Sequence, residues 1–116
     1  MKGQFMLGLP IVELDVENER FKFLLDTGFN GAIMLPAHII EALGLKQVAV
    51  TNYVTANGDT QITRVYRAMV NLFGEEKKVL VLSTSASFSL AGLQLFHLCK
   101  IILERHKDVL EIEKTG

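Results

Sequence analysis

Apolar and polar residues alternate along much of this chain, in short runs separated by turn-forming residues. In residues 12–16, Val and Leu alternate with acidic side chains, which is the period of a strand with one buried face. A polar turn at 17–20 follows, and residues 21–25 return with Phe, Phe and Leu on a single face. Dense turn signals and short apolar runs predict a mostly β domain.

The later segments predict one helix and a central strand. Pro36 suits the first position of a helix and Gly44 suits the left-handed residue after its end, so we predict a helix over residues 36–43. Residues 79–82 are apolar on both faces, as expected of a strand inside a sheet. The remaining predicted segments are a small-residue loop at 83–89, a short helical turn at 93–98, and a closing strand pair at 101–103 and 109–112.

A long hairpin is predicted over residues 51–69. Its tip is Asn57-Gly58, a dipeptide that favours a type I′ turn, in which both central residues have positive φ. The two arms are polar and β-branched and have no continuous apolar face, so we expect the hairpin to be exposed and mobile.

Length and composition limit the class of protein. A chain of 116 residues with 49% hydrophobic and 22% charged residues is long enough to bury a core, and no linker or repeat divides it. We therefore expect one domain over residues 1–116. The net charge of -1 and the lack of a basic patch argue against nucleic acid and anionic membranes as partners. No apolar run is long enough to span a membrane.

The cysteine and histidine residues give no catalytic or metal signal. Cys99 is the single cysteine, so no internal disulfide can form, which fits a reducing, cytoplasmic compartment. The histidines are scattered without metal-ligand spacing, and we expect neither metal nor organic cofactor. A nucleophilic pair of Cys99 with His97 is disfavoured, because an apolar run raises the cost of a thiolate.

One motif carries a chemical signal, Asp26-Thr27-Gly28 at the end of an apolar strand. Burying a carboxylate is expensive unless it is paired or hydrogen-bonded. Thr27 adds a hydroxyl that can donate or accept, and Gly28 allows a sharp turn that brings its N–H close to the acid. This pattern indicates that Asp26 is placed for chemistry at a water-facing point of the sheet.

Together with the Asn-Gly hairpin and the triplet Leu90-Ala91-Gly92, this motif resembles the retropepsin-like aspartic proteases, single-domain relatives of pepsin. The resemblance implies a closed, barrel-like, mostly β fold with one short helix after the catalytic loop. It also implies an aspartic endopeptidase that acts as a homodimer on extended peptides.

The resemblance implies roles for individual residues. Asp26 matches the catalytic aspartate, Thr27 the threonine that bonds across the dimer axis, and Gly28 the glycine that lines the cleft. Other positions are expected to contact substrate or to shape its site, with Asn57-Gly58 at the tip of a flap and Leu90-Ala91-Gly92 beneath the catalytic loop. These positions are Phe29, Asn30, Tyr53, Asn57, Gly58, Leu90, Ala91 and Gly92.

The sequence departs from the family pattern at three positions. Phe29 stands where retroviral members usually have a small residue, Ala91 is smaller than the usual aliphatic residue, and no arginine follows Gly92. The terminal segments 1–6 and 109–112 carry alternating apolar residues, which would leave an unpaired sheet edge in a monomer. We therefore expect these segments to contribute to the dimer interface, as termini do in this family.

The chemistry of peptide hydrolysis explains the need for a dimer. A base must activate water while an acid protonates the carbonyl oxygen, and two close carboxylates that share a proton supply both. The chain has one Asp-Thr-Gly, so the second carboxylate has to come from another copy. Two alternatives remain open: a non-catalytic peptide-binding or dimerisation module with this fold, and a plain β domain in which Asp26 only caps a turn.

Overall fold

The computed structural model describes residues 1–54 and 56–116, and for Tyr53 it describes the backbone alone. Within these residues the chain forms ten strands, one α-helix and one 3-10 turn. The strands are β1 (Gln4–Met6), β2 (Leu9–Val16), β3 (Glu19–Leu25), β4 (Ile33–Pro36), β5 (Lys46–Val54), β6 (Thr60–Leu72), β7 (Glu75–Thr84), β8 (Leu90–Ala91), β9 (Cys99–Glu104) and β10 (Val109–Lys114). Helix α1 spans Ala37–Leu43, and the 3-10 turn spans Arg105–Lys107.

Eight of the described strands form one sheet that closes on itself. Their order is β1-β2-β3-β8-β4-β7-β6-β5, and β2 pairs also with β6 through Asp15–Asn71 and Val16–Val70. This extra pairing joins six strands, β2 to β6 by way of β3, β8, β4 and β7, into a ring. The fold is therefore mostly β with a closed ring of strands, as predicted.

Side-chain alternation places the core inside this ring. Val12, Leu14 and Val16 of β2 are at most 1% exposed, and Phe23 and Leu25 of β3 are also buried. The alternating pattern in the sequence therefore identified the buried face of both strands correctly.

Three hairpins turn through two residues that both have positive φ. This geometry matches the natural twist of paired strands, which is why such short turns are common in hairpins. The turns are Leu7-Gly8, Glu17-Asn18 and Phe73-Gly74.

The predicted helix is confirmed with one change. Helix α1 begins at Ala37, and Pro36 precedes it as the N-cap, with φ -59 and ψ 146. Gly44 ends the helix in the left-handed conformation, with φ 65, and its N–H bonds the carbonyl oxygen of Glu41.

The long hairpin is formed by β5 and β6, but its tip differs from the expectation. The last strand pair is Val54–Thr60, so the loop is longer than two residues. Gly58 has φ 84 whereas Asn57 has no positive φ, so the expected type I′ turn is wrong. The arms also carry an apolar face that we did not expect. Val50, Val54 and Ile62 share one face in the observed register and are 59%, 68% and 77% exposed.

The terminal segments pair with each other within one chain. Gly3 donates its N–H to the carbonyl oxygen of Leu110 at 2.9 Å, and Ile112 donates to Met1 at 2.8 Å. Leu110 and Ile112 are 2% and 0% exposed, so this end of β10 belongs to the core. The expected unpaired edge at the termini is therefore wrong.

The predicted closing strand pair is confirmed as β9 and β10, which pair from Cys99–Lys114 to Glu104–Val109. Within the described residues, β9 has no strand partner on its other side. Residues 93–98 form consecutive turns rather than a helix. No helix in the described part of the chain is long and apolar enough to cross a membrane.

Candidate active site

Asp26 directly follows β3 and extends the pairing of that strand. Its backbone N–H donates to the carbonyl oxygen of Ala91 at 2.9 Å, one step beyond the parallel pair Leu25–Ala91. The side chain is half-buried, at the boundary between the ring of strands and the surface. A carboxylate in this place keeps its contact with water while its backbone is held by the sheet.

The glycine of the motif holds the carboxylate directly. The Gly28 N–H donates to Oδ1 of Asp26 at 2.9 Å, and the Phe29 N–H bonds the Asp26 backbone carbonyl oxygen at 3.1 Å. These two bonds form a tight turn at the end of the strand. They fix one oxygen of the acid and leave Oδ2 without a hydrogen bond from the described residues.

The loop of residues 26–32, which is the catalytic loop expected from the sequence, is braced from beneath by the segment after β8. Gly92 donates its N–H to the carbonyl oxygen of Ala32 at 2.9 Å, and Leu93 donates to Phe29 at 2.9 Å. A side chain at position 92 would overlap the carbonyl oxygens of Gly31 and Phe29. Glycine is therefore required there by close backbone contact rather than by an unusual φ.

The triplet Leu90-Ala91-Gly92 forms this support from inside the fold. Strand β8 lies between β3 and β4, parallel to the first and antiparallel to the second. Ala91 is 0% exposed and Gly92 is buried, whereas Leu90 is half-buried. Leu90 is thus the member of the triplet with a surface that a ligand could touch.

The remaining residues of the loop face outward or pack locally. Thr27 and Asn30 are exposed, and the Thr27 hydroxyl has no hydrogen-bond partner among the described residues. Phe29 is half-buried, and its ring lies against Gly31, where an added Cβ would be 2.8 Å from Cε1 of the ring. The large side chain at position 29 therefore fits because position 31 has none.

The hairpin residues are not brought to this loop. Asn57 and Gly58 are exposed, and no hydrogen bond or strand pairing of the described residues links them to residues 26–32. The Tyr53 backbone pairs with Gln61, but its side chain lies outside the described part of the structure.

An apolar groove of about 460 Å³ lies on the face of β3 that carries Leu24. Leu24 and Asp26 are two residues apart in an extended segment, so their side chains project to the same face. Leu9 and Phe88 also line the groove and are 50% and 53% exposed. This groove was not predicted from the sequence. The period of two through Leu24 and Asp26 and the lone aromatic Phe88 in a serine-rich loop were the signals available.

The cysteine is not prepared as a nucleophile. Burial raises the pKa of the Cys99 thiol, and the ammonium groups of Lys77 and Lys114 only partly oppose this effect. His97 is exposed. Among the described residues, no three His, Cys, Asp or Glu side chains gather in a way that could hold a metal ion.

The ring of strands and the braced Asp-Thr-Gly loop define the class of retropepsin-like aspartic proteases. The chain belongs to the aspartyl protease family, whose profile matches residues 12–104.

Solved structures agree with this assignment. The chain is similar to a retropepsin-like aspartic protease from Rickettsia conorii, with 26% identity and a TM-score of 0.71, over 95% of this chain and 86% of that one. It has the fold of EIAV protease in complex with the inhibitor HBY-793, at 18% identity and a TM-score of 0.65, over 84% and 96% of the two chains. The simian foamy virus protease matches at 17% identity and a TM-score of 0.56, over 72% and 88%. No curated protein matches the chain significantly in sequence.

Proposed function

We propose that residues 1–116 form a single-domain aspartic endopeptidase, and that two copies combine their Asp26 side chains into one active site. One observation carries the proposal: a half-buried carboxylate has Oδ1 held by the Gly28 N–H, on a loop braced from beneath. Membership of the aspartyl protease family supports it.

The catalytic step needs two carboxylates. When two such groups lie close together, they share one proton because both cannot ionise easily, as in aspartic proteases generally. The ionised member removes a proton from water, and the protonated member donates to the carbonyl oxygen of the peptide bond. Each chain has one Asp-Thr-Gly, so a two-fold axis through the site would supply the second acid.

Thr27 and Gly28 would position the two acids. The Gly28 N–H already orients Oδ1 of Asp26, which leaves Oδ2 available for water and for the shared proton. The exposed hydroxyl of Thr27 would bond the partner's catalytic loop across the axis. Such prior orientation lowers the reorganisation needed when charge develops in the reaction.

The free edge of β9 supports dimerisation. Strand β10 covers one side of β9, and the described residues leave the other side unpaired. Leu103 of β9 is 46% exposed. An unpaired strand edge with apolar side chains favours pairing with another chain. We propose that a second copy pairs there, with the terminal segments holding β10 from its other side.

The apolar groove and the hairpin would bind the substrate. The groove holding Leu24, Leu9 and Phe88 suits a large apolar side chain of an extended peptide. Phe29, Asn30 and Leu90 would line the cleft beside it. The exposed apolar face of the β5–β6 hairpin would cover the peptide, with Tyr53, Asn57 and Gly58 near the closing end. Closure would exclude water from the reaction.

The direct test is cleavage of a peptide library over a range of pH by the wild type and two variants. Asp26→Asn keeps the size of the side chain and removes the titrating group. Asp108→Asn is the matched control, because Asp108 is exposed in a left-handed conformation, φ 52, that Asn tolerates.

We expect the wild type and Asp108→Asn to cleave with a bell-shaped pH profile, and Asp26→Asn to be inactive while still folded. Cleavage by Asp26→Asn would place the chemistry elsewhere. A wild-type dimer that binds peptides without cleaving any of them would favour a non-catalytic binding module.

A further inference from the structure

A second cavity lies behind the catalytic loop, between β7, β10 and the turn at residues 93–98. Its volume is about 300 Å³, equal to roughly ten liquid waters and at the small end of ligand pockets. The proposed protease mechanism assigns it no role.

The inner wall of this cavity is apolar. Ala32 and Leu95 lie in it and are only 5% and 6% exposed, and Val79 and Phe73 add further apolar surface. Leu95 belongs to the same turn whose Leu93 and Gln94 N–H groups bond the catalytic loop. An apolar group seated here would therefore pack against the support of Asp26.

The rim of the cavity is cationic. Lys77, Lys78 and Lys114 line it, and Lys114 pairs with Glu75 at 3.1 Å. The ion pairs of the described residues leave Lys77 and Lys78 without a carboxylate partner. Lys77 is half-buried, lies on the same face of β7 as Val79, and lines the cavity together with it.

We propose that this cavity binds a small amphiphile with one carboxylate and an aliphatic tail. The tail would cover Leu95 and Val79, while the carboxylate would pair with Lys77 at the rim. A neutral ligand would give the Lys77 ammonium no new partner. A purely ionic ligand would leave the apolar wall of the cavity exposed to water. Charge complementarity and apolar area thus select the same class of ligand.

Octanoate is the probe, and binding is measured by the shifts of backbone amide resonances in titrations of the full chain. Octanol tests the need for the charge, and acetate tests the need for the tail. Saturable shifts at Leu95, Cys99 and Lys114 with octanoate support the site, provided that octanol and acetate bind at least about tenfold more weakly.

Variants add an independent test. Lys77→Gln should weaken octanoate binding about tenfold, Lys77→Arg should retain it, and Lys46→Gln, an exposed lysine outside the cavity, should leave it unchanged. Equal binding of octanoate and octanol, shifts spread over the apolar groove at Leu24 instead, or an absence of shifts would each overturn the proposal. These measurements do not depend on peptide cleavage, so a failure of this proposal can be distinguished from a failure of the proposed protease activity.

Discussion

The backbone N–H of Gly28 donates to Oδ1 of Asp26 at 2.9 Å, so the motif orients its own carboxylate without help from another element. A Cβ added at Gly28 would lie 3.2 Å from that same oxygen and, apart from its chain neighbours, would meet no other atom of the described residues within 4 Å. Gly92, beneath the loop, differs because a Cβ there would overlap two carbonyl oxygens. Gly28 therefore affects mainly the orientation of the Asp26 carboxylate, whereas Gly92 affects mainly the stability of the fold.

Alanine at each position tests this distinction. Gly92→Ala forces the braced loop apart, and we expect it to lower the free energy of unfolding by about 1–3 kcal/mol. Gly28→Ala should change stability by less than about 1 kcal/mol while lowering peptide cleavage, because it crowds the Asp26 carboxylate. Urea unfolding of both variants measures the free energy of unfolding. Similar losses of stability in the two variants would contradict the distinction.

The free edge of β9 predicts where the dimer can be weakened. Leu103→Lys places a charge on each side of the proposed two-fold contact, and we expect the dissociation constant to rise about tenfold or more. Leu80→Lys is the control, since Leu80 is similarly exposed, at 52%, on β7 inside the sheet. Sedimentation equilibrium measures the dimer dissociation constant of both variants. A Leu103→Lys dimer as tight as the wild type would exclude this edge as the interface.

Removing β10 would not give the same information. A chain cut after Asp108 loses Leu110 and Ile112, which are buried in the core of one subunit. A shift of this truncated chain to monomer could therefore result from unfolding as well as from dissociation of the dimer.

The end of the β5–β6 hairpin should exchange its amide protons faster than the centre of the sheet. Residues 56–62 are exposed, whereas β7 pairs with β6 on one side and with β4 on the other. Few buried contacts imply low local stability and fast opening. Hydrogen exchange followed residue by residue compares residues 56–62 with residues 79–82. Equal protection of the two segments would contradict a hairpin that opens to admit substrate.

The raised pKa of Cys99 predicts slow alkylation at neutral pH. The midpoint of the pH–rate profile with iodoacetamide should lie above that of a free thiol, because burial disfavours the thiolate. Lys77→Gln removes a charge that lowers this pKa and should move the midpoint further up, while Lys46→Gln should not. The stability that this thiol contributes is full below its unfolded pKa and is lost as pH rises through its folded pKa. A midpoint that falls in Lys77→Gln would contradict the assigned electrostatics.

Local patterns predicted local structure well. The alternation in residues 12–16 gave the buried face of β2, and Pro36 and Gly44 bounded the helix to within one residue. The position of Asp26 at a strand end was also readable, since Gly28 needs only the neighbouring backbone to reach it.

Contacts between distant parts of the chain could not be predicted from local patterns. The bonds of Gly3 with Leu110 and of Gly92 with Ala32 join residues that are far apart in the sequence, and no local pattern encodes them. The register of the long hairpin likewise decided which face Val50 and Ile62 share. The groove beside Leu24 is lined by four separate segments of the chain, so only the fold brings them together.

In the proposed enzyme, one active site needs Asp26 from two copies. Wild-type chains are mixed with Asp26→Asn chains at constant total concentration, allowed to exchange subunits, and assayed for peptide cleavage. If both carboxylates are required, activity follows the square of the wild-type fraction, and an equal mixture retains roughly a quarter of the full activity. Activity in direct proportion to the wild-type fraction, roughly half in that mixture, would show that each chain works alone and would contradict the shared site.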